Sequence, residues 1–145
     1  MEKIGLIAPC LFGTESIAAD EFRRMGFTDI VTENGRVKLA GDFNMLARAN
    51  ICSRFAERIL INVGEFYAAT FTELFDGVKG LRWEDYIGKD DAFPVNGYSL
   101  NSTLHSIPDC QSIIKKAINK NVNRLVIKIS LIYFLQIYYI NITKK

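Results

Sequence analysis

The stretch TDIVTENGRVKLAG, residues 28–41, decides the fold class because it has the pattern of a β-hairpin. Apolar side chains recur on both sides of Asn34-Gly35, from Ile30 before the pair to Leu39 after it. Asn-Gly is the pair that a two-residue type I′ turn prefers, since both turn residues need a positive φ. Strands joined by so short a turn are antiparallel. The stretch therefore favours an α+β fold over a doubly wound parallel sheet.

Segments with the spacing of helices or strands lie on both sides of this hairpin. Residues 3–9, KIGLIAP, predict a short buried strand. The next segment predicts a helix that ends at Gly26, with Thr14 as a candidate N-cap. After the hairpin, Asp42 is well placed to cap a second helix. The residues expected on the buried faces are Ile17, Ala18, Phe22 and Met25 in the first helix and Phe43, Leu46, Ala47 and Ile51 in the second.

The second half of the chain continues the mixture of strands and helices. Residues 57–66 predict a strand, and Thr70 with Glu73 forms the capping box of a following helix. Residues 92–100, AFPVNGYSL, predict another strand, at a sheet edge because of Pro94. The order β-α-β-β-α-β-α-(α)-β-α predicts an α+β or split βαβ arrangement. The expected buried residues are Phe71, Leu74, Phe75 and Val78 in one helix, Trp83 and Tyr86 in a short helical turn, and Ile113, Ile114, Ala117 and Ile118 in a helix starting near Pro108.

Charge is distributed unevenly along the 145 residues, although the net charge is only +2. Residues 1–98 carry 11 Lys and Arg against 15 Asp and Glu, whereas residues 99–145 carry 7 against 1. A basic end on an acidic body suggests a polyanionic partner or simply a biased tail. The three cysteines, Cys10, Cys52 and Cys110, are widely spaced and form no CxxC pair. We therefore expect neither a disulfide framework nor a zinc site, and a reducing cytoplasm fits.

The sequence contains none of the short motifs that carry common catalytic chemistry. Its ten glycines are spread out, with neither GxGxxG nor GxxxxGK. Its single histidine, His105, cannot supply a two-histidine metal site, and no GxSxG nucleophile elbow accompanies it. We therefore interpret His105 as a partly exposed loop residue, and we predict no catalytic site, metal or cofactor in this chain.

Signals for binding are concentrated in SLNSTLHSIPDCQSIIKKAINK, residues 99–120. A polar loop with Ser102 and His105 supplies hydrogen-bond donors suited to phosphate and 2′-hydroxyl groups. Lys115 and Lys116 on the following helix add positive charge, and a helix N-terminus itself favours an anion. Spacing alone favours a solvated polar face somewhat more than a binding site, since a basic face is only an electrostatic footprint.

Five stretches follow one another along the chain, namely FGTE (12–15), NGRV (34–37), ARANICSRFAERIL (47–60), FTELFDGVKGLRWEDYI (71–87) and S-x-L-x-S-x-x-D-x-Q-x-x-x-K-K-A (102–117). In this order they resemble the N-terminal part of the THUMP-domain RNA methyltransferases, many of which carry the older label of N6-adenine-specific DNA methylase. The resemblance covers about residues 4–119, and it is specific because several motifs match in the right order.

The resemblance implies a ferredoxin-like subdomain at residues 1–43 and a partial THUMP domain at residues 44–120. In that family THUMP grips structured RNA, and a further domain uses S-adenosylmethionine to methylate a guanine N2 atom of large-subunit (23S) ribosomal RNA. The chain would be a cytoplasmic RNA-binding fragment of such an enzyme, because it contains neither a glycine-rich S-adenosylmethionine loop nor an Asn-Pro-Pro-Tyr-like catalytic motif. The residues that the resemblance assigns to RNA contact are Ser102, His105, Gln111, Lys115 and Lys116.

Residues 121–145 differ in composition from the rest of the chain. They contain no Gly, Ala, Pro, Asp or Glu, and 16 of the 25 are Ile, Asn, Lys, Tyr or Phe, which all have AT-rich codons. Our hypothesis is that an AT-rich gene is translated here in a wrong frame. The alternative is a stand-alone interaction or membrane-associated protein that uses this apolar tail. We do not expect a membrane span, because the longest uncharged run, 129–143, is shorter than the roughly 18–20 residues that a span needs.

Overall fold

Strands and helices alternate in the structure, a computed structural model that describes residues 3–88, 91, 93–97, 103–121 and the strand at 138–143. Most of the predicted elements are present, and their bounds follow from the backbone hydrogen bonds. The elements are β1 (Ile4–Pro9), α1 (Glu15–Arg24), β2 (Ile30–Glu33), β3 (Arg36–Gly41), α2 (Phe43–Cys52), β4 (Leu60–Tyr67), α3 (Phe71–Lys79), a 3-10 turn (Trp83–Asp85), α4 (Ile107–Asn121) and β5 (Tyr138–Thr143).

The sheet has the strand order β2-β3-β1-β4-β5. β1 pairs antiparallel with both β3 and β4, and β2 pairs antiparallel with β3. The hairpin turns at Asn34-Gly35, where Gly35 has a φ of 72°, as the sequence predicted. With α1 after β1 and α2 after β3, the first four strands form a βαββαβ arrangement, which is the ferredoxin-like topology. The predicted α+β class with a ferredoxin-like part is therefore confirmed.

The chain divides into two compact units, and the division falls after Asn62, within β4. We call the residues up to Asn62 the first unit and the residues from Val63 to Asn121 the second unit. The domain limits expected from the sequence, after residues 43 and 120, differ from this division. Those limits stay predictions about the domains of the family.

The core of the first unit lies between the sheet and α1. Leu6 of β1 stands opposite Leu39 of β3, and both side chains are buried. α1 packs on β2 and β3 and buries Phe22, whose ring meets Phe27 edge to face with centroids 5.7 Å apart. Gly26 ends this helix with a φ of 98°, as predicted. Ile17 was expected in the core but is 48% exposed.

The buried face predicted for α2 is wrong, although its N-cap is right. The Asp42 carboxylate accepts a hydrogen bond of 2.8 Å from the backbone N–H of Met45. Phe43 and Ile51 are 62% and 83% exposed, whereas Ala49 is fully buried. α2 meets the sheet through the neighbouring stripe that contains Met45 and Ala49, because Gly41 leaves room there: a Cβ on Gly41 would lie only 3.1 Å from the Cβ of Met45.

In the second unit, α3 begins with the predicted capping box. Thr70 accepts from the backbone of Glu73 at 3.2 Å, and the Glu73 carboxylate accepts from the backbone of Thr70 at 3.3 Å. Leu74 and Val78 are buried, and Trp83 follows them in the 3-10 turn, 2% exposed, with its indole N–H donating to the Val78 carbonyl at 2.7 Å. These aromatic and aliphatic side chains are therefore core residues.

One predicted strand is absent from the described part of its range. Residues 93–97 have no strand hydrogen bonds, and Pro94 cannot donate one because it has no backbone N–H. The rest of the stretch 92–100, apart from those five residues, lies outside the described residues, as does most of the tail from 122 onward. Within the described ranges, no helix has both the length and the apolar character that crossing a bilayer requires.

Candidate nucleic-acid interface

Helix α4 and the loop before it hold four of the five residues predicted to contact RNA. Two side-chain links fix this segment to the rest of the second unit. The hydroxyl of Thr103 donates to the carbonyl of Ala69, just before α3, at 3.4 Å. At the other end, the Asn121 amide donates to the carbonyls of Lys79 and Leu81, at 3.0 and 2.7 Å. The starts of α3 and α4 therefore lie together, and so do their ends.

The exposed face of α4 is a ridge of residues three or four positions apart, which places them one above another on a helix. Lys116 lies in the middle of this ridge and is exposed. The opposite face buries Ala117 and Ile118. The residues of the ridge are Asp109, Ser112, Lys116 and Lys120.

The remaining predicted contacts do not all lie on that ridge. Gln111 and Lys115 are one helical turn apart on the neighbouring flank, where both are half-buried. His105 is exposed in the loop, next to Leu104, which is 8% exposed and anchors the loop in the core. Ser102 lies outside the described residues. The structure thus brings Gln111 and Lys115 together on one flank of α4, whereas Lys116 lies on the adjacent exposed ridge.

The two ends of α4 differ in charge. At the first turn the Ser106 hydroxyl donates to the carboxylate of Asp109, and a carboxylate there already satisfies the preference of a helix N-terminus for negative charge. Lys116 lies seven residues further on, about 10 Å along the helix axis. An anionic partner should therefore be favoured near Lys115 and Lys116, rather than at the helix N-terminus.

Lys120 has a different role at the end of the helix. Its ammonium group lies 5.9 Å from the centre of the Phe75 ring on α3, within the range of a cation–π contact. A lysine in the last turn also complements the negative end of the helix dipole. Lys120 therefore has a structural explanation, whereas no described residue is recorded as a partner for the ammonium groups of Lys115 and Lys116.

Two carboxylates of the first unit connect distant segments of the chain, and neither connection was predicted from the sequence. Glu15 accepts the backbone N–H groups of Gly13 and Gly35, each at 2.8 Å. The hydrogen bond from Gly35 is the main reason that the pKa of Glu15 is lowered. The contact joins the FGTE and NGRV stretches: the Glu of one holds the Gly of the other. Glu15 and Gly35 are 20 positions apart in the chain, so spacing along the chain gave no local signal for this link.

The second missed carboxylate is Glu21, which is 8% exposed. It accepts hydrogen bonds from the Ser53 hydroxyl at 3.0 Å, from the Arg54 backbone N–H at 3.1 Å and from the Arg54 Nε at 3.1 Å. Burial raises the pKa of Glu21, but the hydrogen bonds from Arg54 and Ser53 outweigh it, so the pKa lies below its usual value. No short motif joins residues 32 or 33 positions apart, so the sequence carried no local signal for this contact.

The described residues offer little for catalysis. They contain no group of three His, Cys, Asp or Glu side chains that could hold a metal ion. Burial raises the pKa of the thiols of Cys10 and Cys110, which lowers their nucleophilicity at neutral pH. The described glycines with positive φ, Gly13, Gly26 and Gly35, lie in three separate turns and do not form a phosphate-binding loop.

Two family models match the chain in succession. The model described as the RlmL ferredoxin-like domain matches residues 5–60. The model described as the THUMP domain matches residues 68–131. The first match runs from β1 through α2 and ends at the first residue of β4, and the second covers α3, the 3-10 turn and α4.

Curated relatives of the chain are named as RNA methyltransferases. A Bacillus subtilis protein named "Putative RNA methyltransferase YpsC" is 44% identical over 118 residues, which is 81% of this chain and 30% of the relative. A Marinomonas protein named "Ribosomal RNA large subunit methyltransferase K/L" is 26% identical over 97 residues, 67% of this chain and 14% of the relative. The chain therefore spans less than a third of the length of these relatives.

Solved structures with the same fold are described as methylases. A Listeria monocytogenes protein, a "predicted N6-adenine-specific DNA methylase", superposes with a TM-score of 0.82 at 48% identity, over 85% of this chain and 32% of that protein. SMU.472, "a putative methyltransferase complexed with SAH", superposes with a TM-score of 0.79 at 40% identity, over 86% of this chain and 34% of that protein. The two domain matches and these relatives lead to one conclusion: the chain belongs to the THUMP-domain RNA methyltransferase family, of which it carries an RlmL-type ferredoxin-like domain and a THUMP domain.

Proposed function

We propose that this chain is the RNA-recognition part of an RNA-methylating enzyme, and that it contacts RNA through α4 and the loop before it. The observation that carries the proposal is the THUMP match over residues 68–131, combined with the basic character of α4 after Asp109. Lys115 and Lys116 supply phosphate contacts, while Gln111, His105 and Ser102 supply hydrogen-bond donors for phosphates and 2′-hydroxyl groups.

We further propose ribosomal RNA of the large subunit, 23S in bacteria, as the partner, and a guanine N2 atom as the methylated group. The name of the Marinomonas relative supports the choice of RNA. The S-adenosylhomocysteine complex of SMU.472 supports S-adenosylmethionine as the methyl donor of the whole enzyme. For the described residues the proposal is therefore limited to recognition of RNA. The apolar tail, on which a membrane-associated alternative depends, lies largely outside the described residues.

The test removes the positive charge of two lysines but keeps a polar side chain at each position. We expect Lys115→Gln combined with Lys116→Gln to weaken binding to fluorescein-labelled transcripts of large-subunit rRNA by about tenfold, because two phosphate contacts are lost. The dependence of log K on log salt should become shallower by up to about two, one for each phosphate contact. Fluorescence anisotropy at several salt concentrations measures both quantities.

A matched control changes the same amount of charge elsewhere. Lys3 and Arg24 are exposed residues of the first unit, and Lys3→Gln combined with Arg24→Gln should change the affinity less than twofold. Equal losses in the two double variants would mean that only net charge matters, and the assignment of the contact to α4 would then be wrong. An unmodified chain that binds no transcript would remove the proposal altogether.

A further inference from the structure

Arg54 is held in place by a buried carboxylate while most of its own side chain faces solvent. Glu21 accepts the backbone N–H of Arg54 with both carboxylate oxygens, at 3.2 and 3.1 Å, and the guanidinium Nε at 3.1 Å. The Arg54 side chain is nevertheless 77% exposed, against 9% for Glu21. The carboxylate thus fixes both the loop backbone and the Nε of the guanidinium. The outer edge of the guanidinium stays accessible to solvent.

That outer edge carries two terminal nitrogens. Within the described part of the chain, Glu21 is the acceptor recorded for the Arg54 guanidinium, and the contact uses Nε. A guanidinium with its terminal nitrogens available forms two parallel hydrogen bonds with a phosphate or a carboxylate. Because Glu21 already restricts the side chain, less rotational freedom is lost when an anion binds.

The surroundings of Arg54 suit a negatively charged partner. Residues 43–56, which comprise α2 and the start of the loop after it, contain no Asp or Glu and two Arg. The next acidic residue, Glu57, forms an ion pair of 3.6 Å with Arg58. Residues 43–56 therefore bring no acidic side chain to an anion at Arg54, and the charge of Glu21 on α1 is already balanced by Arg54.

An aromatic ring lies next to this arginine in the chain. Phe55 is 39% exposed, so part of its ring is accessible to a partner. Exposed aromatic rings beside positive charges are typical of surfaces that bind single-stranded nucleic acid, since a base stacks on the ring while the cation contacts the backbone. A carboxylate of a protein partner would use the guanidinium but would give the ring no comparable role.

We infer that Arg54 and Phe55 form an RNA contact on the ferredoxin-like domain, with Arg54 clamping a phosphate and Phe55 stacking on an unpaired base. Glu21 acts as the positioning residue of this contact. The inference rests on the proposed function, because it takes RNA as the partner of the chain. It is separate from α4, and it adds a contact in the first unit to the contact proposed in the second.

The experiment measures binding of the full chain to overlapping fluorescein-labelled transcripts of large-subunit rRNA, at several salt concentrations. Arg54→Ala should weaken binding about five- to tenfold and make the salt dependence shallower by about one phosphate contact. Arg54→Lys keeps the positive charge but lacks the two terminal nitrogens of the planar guanidinium. It should recover less than half of the lost affinity on a logarithmic scale. Phe55→Leu should weaken binding about three- to tenfold and leave the salt dependence unchanged.

The control is Arg24→Ala, because Arg24 is an exposed arginine of α1 and its removal causes the same change in net charge. Its affinity should stay within twofold of the unmodified chain. Circular dichroism of each variant shows whether the fold is kept. If Arg54→Ala unfolds, Arg54→Lys serves as the test variant, because it retains the ion pair with Glu21. Equal affinities for Arg54→Ala, Arg54→Lys and Arg24→Ala would overturn the inference.

The outcomes separate this inference from the proposed function. If the lysine variant of α4 loses affinity but Arg54→Ala and Phe55→Leu do not, the contact on the ferredoxin-like domain is wrong and the proposed function stands. If the reverse holds, the contact at Arg54 stands and the assignment to α4 is wrong. If the unmodified chain binds none of the transcripts, both are wrong.

Discussion

The two units of the chain hold distant segments together with different chemistry. In the first unit the links are carboxylates: Glu15 reaches the hairpin 20 residues away, and Glu21 reaches Arg54, 33 residues away. In the second unit the hydrogen bonds between distant segments come from uncharged groups, since Thr103 donates to Ala69 and Asn121 donates to the end of α3. Lys120 adds a cation–π contact with Phe75, which involves no carboxylate. A carboxylate must be ionised to accept these hydrogen bonds fully, whereas an amide or a hydroxyl keeps its bonds at any pH near neutrality.

This difference implies that acid should loosen the first unit before the second. The pKa values of Glu15, Glu21 and Glu33 are all lowered in the folded chain. A lowered pKa means that the ionised form stabilises the fold, and this stabilisation is complete above the unfolded value of about 4.3. It is lost as the pH falls through the lower folded value. The second unit should show no such loss at its Thr103 and Asn121 links.

The largest effect is expected in the second unit, at Trp83. Trp83→Ala should lower the free energy of unfolding by about 3–5 kcal/mol, because it leaves a cavity where a side chain 2% exposed now packs. It also removes the hydrogen bond of 2.7 Å to the Val78 carbonyl. The loss should be equal at pH 7 and pH 5, since no charge is involved. Urea unfolding followed by circular dichroism measures the loss. Tryptophan fluorescence cannot be used, because Trp83 is the single tryptophan and the variant removes it.

Trp83→Phe provides the matched variant. It keeps an aromatic ring in the cavity but loses the hydrogen bond and part of the volume, so the expected loss is smaller, about 1–2 kcal/mol. If the phenylalanine variant were as unstable as the alanine variant, packing would not be the main contribution of this side chain. If the loss at Trp83 changed strongly with pH, the second unit would contain a charged link that the comparison does not include.

The next effect in size is expected in the first unit, at Glu21. Glu21→Ala should lower the free energy of unfolding by about 2–3 kcal/mol at pH 7, because hydrogen bonds to a charged and buried group are lost. The difference between this variant and the unmodified chain should shrink as the pH falls below about 4.3, since the carboxyl of the unmodified chain then becomes protonated. Unfolding by urea at a series of pH values measures the difference.

Hydrogen exchange locates the effect of Glu21. In the unmodified chain below pH 4, backbone amides of α1 and the loop after α2 should lose protection before those of α3 and α4. Glu21→Gln is the matched variant, because it keeps the shape and one acceptor oxygen but cannot be ionised. Its stability should depend less on pH than that of the unmodified chain. A Gln variant with the original pH dependence would show that Glu21 is not the source of it.

Local patterns predicted the parts of the fold that are encoded within three or four residues. The turn at Asn34-Gly35, the Asp42 cap and the capping box of Thr70 with Glu73 all belong to this class, and the structure contains each of them. The information in such motifs lies in neighbouring side chains and the backbone between them, so one sequence is enough to identify them.

The contacts that join distant segments could not be predicted in the same way. Helical spacing identified an apolar stripe on α2, but it could not show that Gly41 makes room for Met45 on the neighbouring stripe instead. The link between Glu21 and Arg54 depends on the packing of α1 against the loop after α2. For the candidate site, spacing placed Lys116 on the exposed face of α4 and Asp109 at the positive end of that helix, whereas the hydrogen bond from Ser106 to Asp109 could be seen only in the geometry of the first turn.

The smallest effect is expected at Asn121, and it sharpens the comparison most. Asn121→Ala should lower the free energy of unfolding by about 1 kcal/mol, since hydrogen bonds at a partly exposed site are worth little each, and the loss should not change with pH. Asn121→Asp should behave differently, because an ionised carboxylate faces the carbonyls of Lys79 and Leu81, which now accept from the amide at 3.0 and 2.7 Å.

The pKa of the introduced aspartate should be raised in the folded chain, because its protonated form can donate to a carbonyl and its ionised form cannot. The destabilisation should therefore be largest at pH 7 and should decrease as the pH falls through that raised value, the opposite of the dependence expected at Glu21. Urea unfolding at pH 7 and pH 4 measures both variants. If Asn121→Asp destabilised the chain by the same amount at the two pH values, relative to the unmodified chain, the amide would not link the ends of α3 and α4, and the use of uncharged hydrogen-bonding groups in the second unit would have no bearing on its resistance to acid.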